Sequence, residues 1–336
     1  MITKRENFDL STVTTFAIPA KCSLWVEYDD PSDIPAVLAL ASEDVPLMHI
    51  GEGSNMLFTR DYPGVVAHSR VRGMEIVDDS DRGVVVRVGA GEKMDLFIAR
   101  ACDQGLWGVE NLSGIPGEAG ASAVQNVGAY GTEAADSIIA VHAYDSVEKK
   151  FLTIPAADCD FGYRDSMFKH YRGRYVIHHV DYLLSRDPRP NISYPAFKGR
   201  FENAPESPSM VREVVLSIRD SKLPDPATVP SAGSFFKNPV VSDSQLADVA
   251  DVEGSDDFPH YPAGDGWKIP AAWLLDRLGW KGRRFGNVAV WHLQPLVIVN
   301  PERKATATEI LELEARICRS VYDVYGIVLT PEVEHI

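Results

Sequence analysis

The chain has 336 residues, is 45% hydrophobic and 24% charged, and carries a formal net charge of −15, a globular composition with room for two or three domains. No apolar run approaches the roughly 20 residues of a membrane span, and the opening MITKRE lacks a signal-peptide core, so a cytoplasmic, non-membrane protein is expected. The acidic balance argues against nucleic-acid binding, and Cys22, Cys102, Cys159 and Cys318 are too scattered for a metal site or a disulfide framework, which predicts free thiols. In chain order, Ser23–Tyr28 reads as a strand, and Ala36–Ala41 as a short helix with Pro35 in its first turn. Val45–Ile50 is a compact apolar run, read as a buried strand that ends in the small-residue loop Gly51–Asn55. Strands at Gly64–Ser69 and Val84–Val88 and a helix at Asp95–Gln104 follow.

The stretch 111–131 is apolar yet punctuated by Gly114, Gly117, Gly120, Gly128 and Gly131. Glycine permits φ > 0 and close backbone approach. The segment is either a tightly turned structural loop or backbone wrapped on a ligand, and the polar handles Gln125 and Asn126 favour the ligand. Strand-like runs at Ile138–Tyr144, Tyr175–Leu184 and Met210–Ile218 predict a mixed or antiparallel sheet. The prolines of Lys222–Pro226, with Pro230, mark a linker. Beyond it, Ala271–Leu278 reads as a helix and Leu296–Val299 as a strand. Thr306 and Glu309 form a capping box for a helix with the stripe Ile310, Leu313, Ile317, Val321, Val324, closed by Gly326, and Ile327–Leu329 reads as a strand.

Six phrases stand out: GEGSNMLF (51–58), SGIPGEAGASAVQNVGAYG (113–131), CDFGYRDSMFK (159–169), SKLPDP (221–226), SAGSFFKNP (231–239) and LTPEVEHI (329–336). In order and spacing the chain resembles the UDP-N-acetylenolpyruvoylglucosamine reductase family, in its type I form, from about Asn7 to Val333. The resemblance implies an α+β architecture. A vanillyl-alcohol-oxidase-type FAD-binding region would cover residues 1–219, in subdomains of about 1–75 and 76–219, and a smaller α+β substrate domain would cover 220–336. The absence of a G-x-G-x-x-G between strand and helix agrees with a non-Rossmann fold. It implies FAD as cofactor, NADPH as hydride donor, UDP-N-acetylglucosamine enolpyruvate as substrate, and cell-wall peptidoglycan synthesis as the setting. A monomer is expected.

By the same resemblance, Gly51, Glu52, Gly53, Ser54, Asn55, Ser113, Gly114, Ile115, Pro116, Gly117, Gly120, Ala121, Gln125, Asn126, Gly128, Ala129 and Tyr130 would cradle the FAD. Backbone N–H groups in turns bind phosphate oxygens. Glu118 stands where the family often has a small or neutral residue, and a carboxylate beside a diphosphate is unfavourable unless it is turned aside. Tyr163, Tyr194, Lys222, Asn238 and Lys268 would bind the UDP-sugar, the lysines supplying local positive charge against the acidic background. Tyr194 matches a loop that closes over the diphosphate.

Hydride addition to the enolpyruvyl carbon builds enolate character beside a carboxylate, which calls for charge stabilisation and a proton donor. Ser234 matches the family's serine acid, Arg164 its carboxylate-binding arginine, and Glu332 its glutamate that donates a hydrogen bond to the enolate. Taken singly these could be a turn serine, a surface partner of Asp165, and a solvated glutamate near the terminus; Glu334–Ile336 also departs from the family's usual arginine–aromatic tail. Two other readings remain open: another flavin oxidoreductase of the same fold, or a nonenzymatic UDP-sugar or flavin binder.

Overall fold

Residues 1–336, seen in a computed structural model, form two units. The first gathers Met1–Phe8, Cys22–Glu52 and Tyr62–Arg219; the second gathers Asp9–Lys21, Gly53–Asp61 and Asp220–Ile336.

The first unit holds two large sheets. In the four-stranded sheet the order is Ile2–Asp9, Lys21–Tyr28, Tyr62–Ser69, Leu47–Ile50. Tyr62–Ser69 runs parallel to both neighbours. Parallel strands are buried on both faces and read as continuous apolar runs, and Val65, Val66 and Ala67 are accordingly buried side by side. The helix here is Ile34–Leu38, earlier than expected, with Ile34 and Val37 in the core.

The second sheet is antiparallel throughout, in the order Lys150–Pro155, Ile138–Asp145, Tyr175–Leu184, Gly83–Gly89, Met74–Ser80. Its side chains alternate faces with period two. Val84, Val86 and Val88 share a buried cluster with Met94, Phe97 and Ile98 of the helix Met94–Asp103. Arg87, of opposite parity, grips Asp181 through two bonds of 2.8 and 2.9 Å. Burial alone would raise the Asp181 carboxyl, but Arg87 and His142 outweigh it and hold it well below the carboxylate range.

One expected strand of this unit is a helix. Met210–Ile218 lies within the helix Pro208–Asp220. Its valines suggested a strand, but Val211, Val215 and Ile218 recur four and three apart and are buried with Pro208, which is one helical face. Pro208 opens the helix and Arg219 stands in its last turn, both favourable positions.

In the second unit the sheet order is Ser231–Ser234, Val297–Val299, Val288–Val290, Arg284–Phe285. Helices Ala271–Arg277 and Ala307–Tyr325 contribute to its core with Phe235, Phe236, Ile269 and Leu274; Phe16, Ile18 and Leu57 from early in the chain join them. The capping box is present: Thr306 Oγ1 accepts the Glu309 N–H at 3.2 Å, and Glu309 Oε2 accepts the Thr306 N–H at 2.9 Å. Gly326 closes the helix at φ +65°. Val324 is exposed, and Tyr325, four residues after Val321, takes the last core position instead. Ile327–Leu329 is not a strand; Ile327 and Leu329 are buried but enter no ladder, and the terminal strand is Glu334–His335, parallel to Met56–Leu57. No helix is long and apolar enough to cross a membrane.

Candidate functional site

The glycine loops of the first unit are shaped by close contacts. A Cβ on Gly120 would lie 2.8 Å from the Ala90 Cβ, and one on Gly51 would lie 3.1 Å from Glu118 Oε2 and 3.5 Å from the Ala121 Cβ. Gly114 adopts φ +72°, and its N–H donates to Asp95 Oδ1 at 2.6 Å. Asp95 is itself held by Arg212 at 2.9 Å. The Ser113 hydroxyl donates to Glu110 O at 2.6 Å, and the Ile115 N–H to Leu112 O at 3.4 Å, so the turn into Pro116 is internally satisfied.

Both acidic side chains of these loops are tied down. Glu52 accepts the Gly117 N–H at 2.8 Å and pairs with Lys93 at 3.1 Å. Glu118 is 5% exposed and bonded to His68 Nε2 at 2.8 Å. Burial raises its pKa, His68 opposes that rise, and the charge of Glu52 adds to it. The departure flagged at Glu118 is thus a carboxyl anchored by an imidazole.

Asn126 follows Gln125, the last residue of the helix Ala119–Gln125, and caps it at φ +44°. Its Nδ2 donates to Glu133 at 2.7 Å and to Gly162 O at 2.9 Å, while its Oδ1 accepts the Ala135 N–H at 2.9 Å. Asn126 therefore brackets the Gly162–Ser166 turn that carries Tyr163 and Arg164. Arg164 sits at φ +56°, donates to Gly128 O at 2.6 Å, and lies 5.1 Å over the Tyr163 ring. Asp165 is engaged by His170 at 2.9 Å.

Tyr130, beyond Ala129, meets Tyr194 edge-on at 5.7 Å. Two asparagines tie the Tyr194 loop to this turn: Asn111 Nδ2 donates to Tyr130 O at 2.9 Å and Asn191 O at 2.8 Å, and Asn191 Nδ2 donates to Gly131 O at 2.9 Å. The Asn111 Oδ1 is buried without a hydrogen-bond partner. Sequence reasoning passed over Asn111 and Asn191; the only signal was an asparagine at the mouth of the glycine loop.

In the second unit, Gly53 stands at φ +60°, where a Cβ would meet Val13 O at 2.8 Å and Thr14 Cγ2 at 2.9 Å. Asn55, next to Ser54, sends its Nδ2 to Glu332 O at 2.9 Å. The Glu332 N–H in turn donates to Phe235 O at 2.8 Å. Glu332 is thereby brought alongside the strand that ends at Ser234, whose residue is exposed while Phe235 is buried. Asn238 Oδ1 accepts the Ala271 N–H at 2.9 Å. Lys268 pairs across the ladder with Val240 and Tyr261, and Lys222 O accepts the Trp291 indole N–H at 3.0 Å. Arg164, Tyr163 and Tyr194 belong to the first unit, and Ser234, Glu332, Asn238, Lys222 and Lys268 to the second.

These residues fit a dinucleotide such as FAD. In the first unit Gly120 stands where any Cβ would collide with Ala90 and Gly51 where one would be crowded, which keeps these glycine turns close-packed, and both loop carboxylates are restrained away from a bound diphosphate.

Comparison with known proteins agrees along the whole chain. Residues 23–148 match the family described as FAD binding domain, and residues 225–336 match UDP-N-acetylenolpyruvoylglucosamine reductase, C-terminal domain. The chain is 40% identical to the UDP-N-acetylenolpyruvoylglucosamine reductase of Porphyromonas gingivalis, over 99% of both chains. It is 40% identical to that of Chromobacterium violaceum, over 98% of this chain and 97% of that one. A crystal structure of the reductase from Thermus caldophilus covers 100% of this chain and 98% of its own at a TM-score of 0.67 and 22% identity, a likeness of fold. The architecture is the α+β, vanillyl-alcohol-oxidase-type FAD-binding fold with an added α+β domain. The chain belongs to the UDP-N-acetylenolpyruvoylglucosamine reductase family.

Proposed function

We propose that the chain reduces the enolpyruvyl double bond of UDP-N-acetylglucosamine enolpyruvate with NADPH, giving UDP-N-acetylmuramate for peptidoglycan, as a cytoplasmic monomer. The loops Gly51–Asn55 and Ser113–Tyr130 would hold FAD, and Tyr163, Tyr194, Lys222, Asn238 and Lys268 would bind the UDP-sugar. The chemistry that FAD supplies when bound is hydride relay between NADPH and the double bond.

The residues of the chain do the rest. The planar guanidinium of Arg164 matches the substrate carboxylate in two hydrogen bonds. Its anchoring to Gly128 O and its seat over Tyr163 limit the rotamers it must give up. The Ser234 hydroxyl delivers a proton to the carbon next to the carboxylate, and an enolate carbon is basic enough to take it when the two are held in line. The Glu332 carboxyl donates a hydrogen bond to the enolate oxygen as charge builds there. Lys222 and Lys268 offer the diphosphate local positive charge.

The observation that best supports this reading is the Glu332 N–H bond to Phe235 O, which joins the backbone of the glutamate to the residue after Ser234. The test is an anaerobic absorbance titration of the purified protein with NADPH and then the enolpyruvyl sugar. Bleaching followed by recovery of the yellow colour is expected. A protein that takes up no FAD, or one that bleaches and is not reoxidised by the sugar, refutes the reading.

A further inference from the structure

The terminal segment carries a polar contact that the proposed chemistry does not use. Glu314, on the helix Ala307–Tyr325, follows the core residue Leu313. Its side chain is 15% exposed, and its Oε2 is sealed from solvent with no hydrogen-bond partner. That oxygen faces His335 Nε2 at 3.3 Å, an ion-pair distance without hydrogen-bond alignment. The His335 ring lies 6.1 Å from the Phe235 ring.

Parity explains why the contact matters. The terminal segment is extended, and its backbone is laced along one edge: Glu334 N–H donates to Asn55 O at 3.0 Å, Ile336 N–H to Leu57 O at 2.9 Å, and Thr59 N–H to Ile336 O at 2.9 Å. In such a segment alternate side chains share a face. Val333 is buried in the core, and His335 has its parity; Glu332 and Glu334 have the other. A slip of one residue would exchange the faces and turn Glu332 inward. Val333 in the core favours the observed register, and the contact at His335 adds a second side-chain preference for it. A polar pair can act in that role, fixing register, and here the Glu314 side chain is 15% and the His335 side chain 29% exposed.

We infer that Glu314 and His335 are a positioning pair that fixes the register of the terminal strand and so the face on which Glu332 presents its carboxyl. The inference rests on the reading of Glu332 as a group that touches the developing enolate. Burial pushes Glu314 up to about 7 and His335 below its ordinary value. The other titratable groups that face the pair are Cys318, whose thiol Glu314 helps to raise, and Glu334, which raises His335. Neither Glu314 nor His335 is among the residues proposed to touch flavin or sugar.

The test is stopped-flow measurement of both half-reactions on the FAD-loaded protein from pH 5.5 to 9, for the parent chain and Glu332→Gln, His335→Ala, His335→Gln and Glu314→Gln. Glu332→Gln should slow reoxidation by the sugar about 100-fold while reduction by NADPH stays within about twofold, the signature of a lost transition-state contact. His335→Ala should slow reoxidation about 10-fold with reduction again spared, the scale of a small misplacement. His335→Gln keeps an N–H toward Glu314, and should restore most of that rate while flattening its dependence on pH; it carries the test if His335→Ala fails to fold. If Glu332→Gln slows reoxidation but His335→Gln and Glu314→Gln both leave the rate and its pH profile unchanged, the positioning pair is refuted and the reading of Glu332 stands. Equal slowing of both half-reactions in the His335 variants refutes it too, as general loosening. If Glu332→Gln itself leaves reoxidation intact, the reading of Glu332 is what fails.

Discussion

Gly53→Ala separates two reasons for a glycine in a nucleotide loop. At φ +60° any other residue adopts a left-handed conformation, which costs roughly 1–2 kcal/mol. Gly53 adds a second cost, because its Cβ would come within 2.8 Å of Val13 O and 2.9 Å of Thr14 Cγ2. The first neighbour is backbone and cannot rotate away, so relief requires the loop to move, at a cost of about 1–3 kcal/mol for overpacking. Gly105 is the control: it has φ +69° but nothing within 4 Å of a Cβ. Gly105→Ala should show only the conformational cost. Gly53→Ala should show both, and the loop that shifts carries Asn55, the donor to Glu332 O. The assay is urea unfolding of each variant, paired with titration of the apoprotein with FAD. The expected result is an additional loss in Gly53→Ala of about 1–3 kcal/mol, shared between stability and FAD affinity, where 1.4 kcal/mol is tenfold. If Gly53→Ala matches Gly105→Ala in both readouts, the close-approach argument is wrong.

Three other outcomes are expected. Ser234→Ala should leave reduction by NADPH intact and nearly abolish reoxidation by the enolpyruvyl sugar; slowing of both steps alike counts against the serine as proton donor. Lys222→Ala should weaken binding of the sugar more than of FAD, by equilibrium titration, and the reverse order removes the lysine from the substrate site. Burial raises Glu314 to about 7 in the folded chain, so its contribution is fully favourable below the unfolded value of 4.5 and is lost as pH rises through 7. Glu314→Gln should therefore gain on the parent chain between pH 5 and pH 8.5 by up to about 3 kcal/mol in denaturant titrations; a gap that does not change with pH disproves the shift.

Legibility in the sequence followed the locality of the signal. The helix Ala307–Tyr325 was readable from its capping box, its stripe and its closing glycine, all of which lie within the segment itself. The choice of Tyr325 over Val324 was not, since both continue the stripe and only the packing of other elements decides between them. The helix Pro208–Asp220 was misread because valines suit either state, and the deciding fact, burial of Val211, Val215 and Ile218 against Trp107 and Phe197, is nonlocal. The glycine loops were recognisable as phrases, yet the roles of their polar residues were not. Asn126 looked like a free handle and proves to bracket the turn that bears Arg164. Glu118 looked like a charge in the wrong place, and its partner His68 lies 50 residues away in the chain.

Glu332 poses the sharpest case, because a glutamate four residues from the last one is ordinarily solvated and frayed. What distinguishes it is how its strand is held. Its N–H goes to the segment after Ser234 and its carbonyl to the side chain of Asn55, so two separate segments fix one residue from opposite sides. Beyond it, Val333 enters the core and the backbone of Glu334 and Ile336 continues along Met56–Leu57. Chain ends fray because few contacts oppose their entropy, and ordering one residue's backbone costs about 1–2 kcal/mol. Here each residue from Glu332 to Ile336 has either a main-chain bond or a buried side chain, apart from His335, whose hold is Glu314. Glu332 is thus held through both its backbone polar groups, and its placement depends on the short loop Gly53–Asn55 that is also proposed to meet the FAD. Disturbing that loop should damage cofactor affinity and reoxidation by the sugar together, whereas disturbing Glu314 or His335 should damage reoxidation alone.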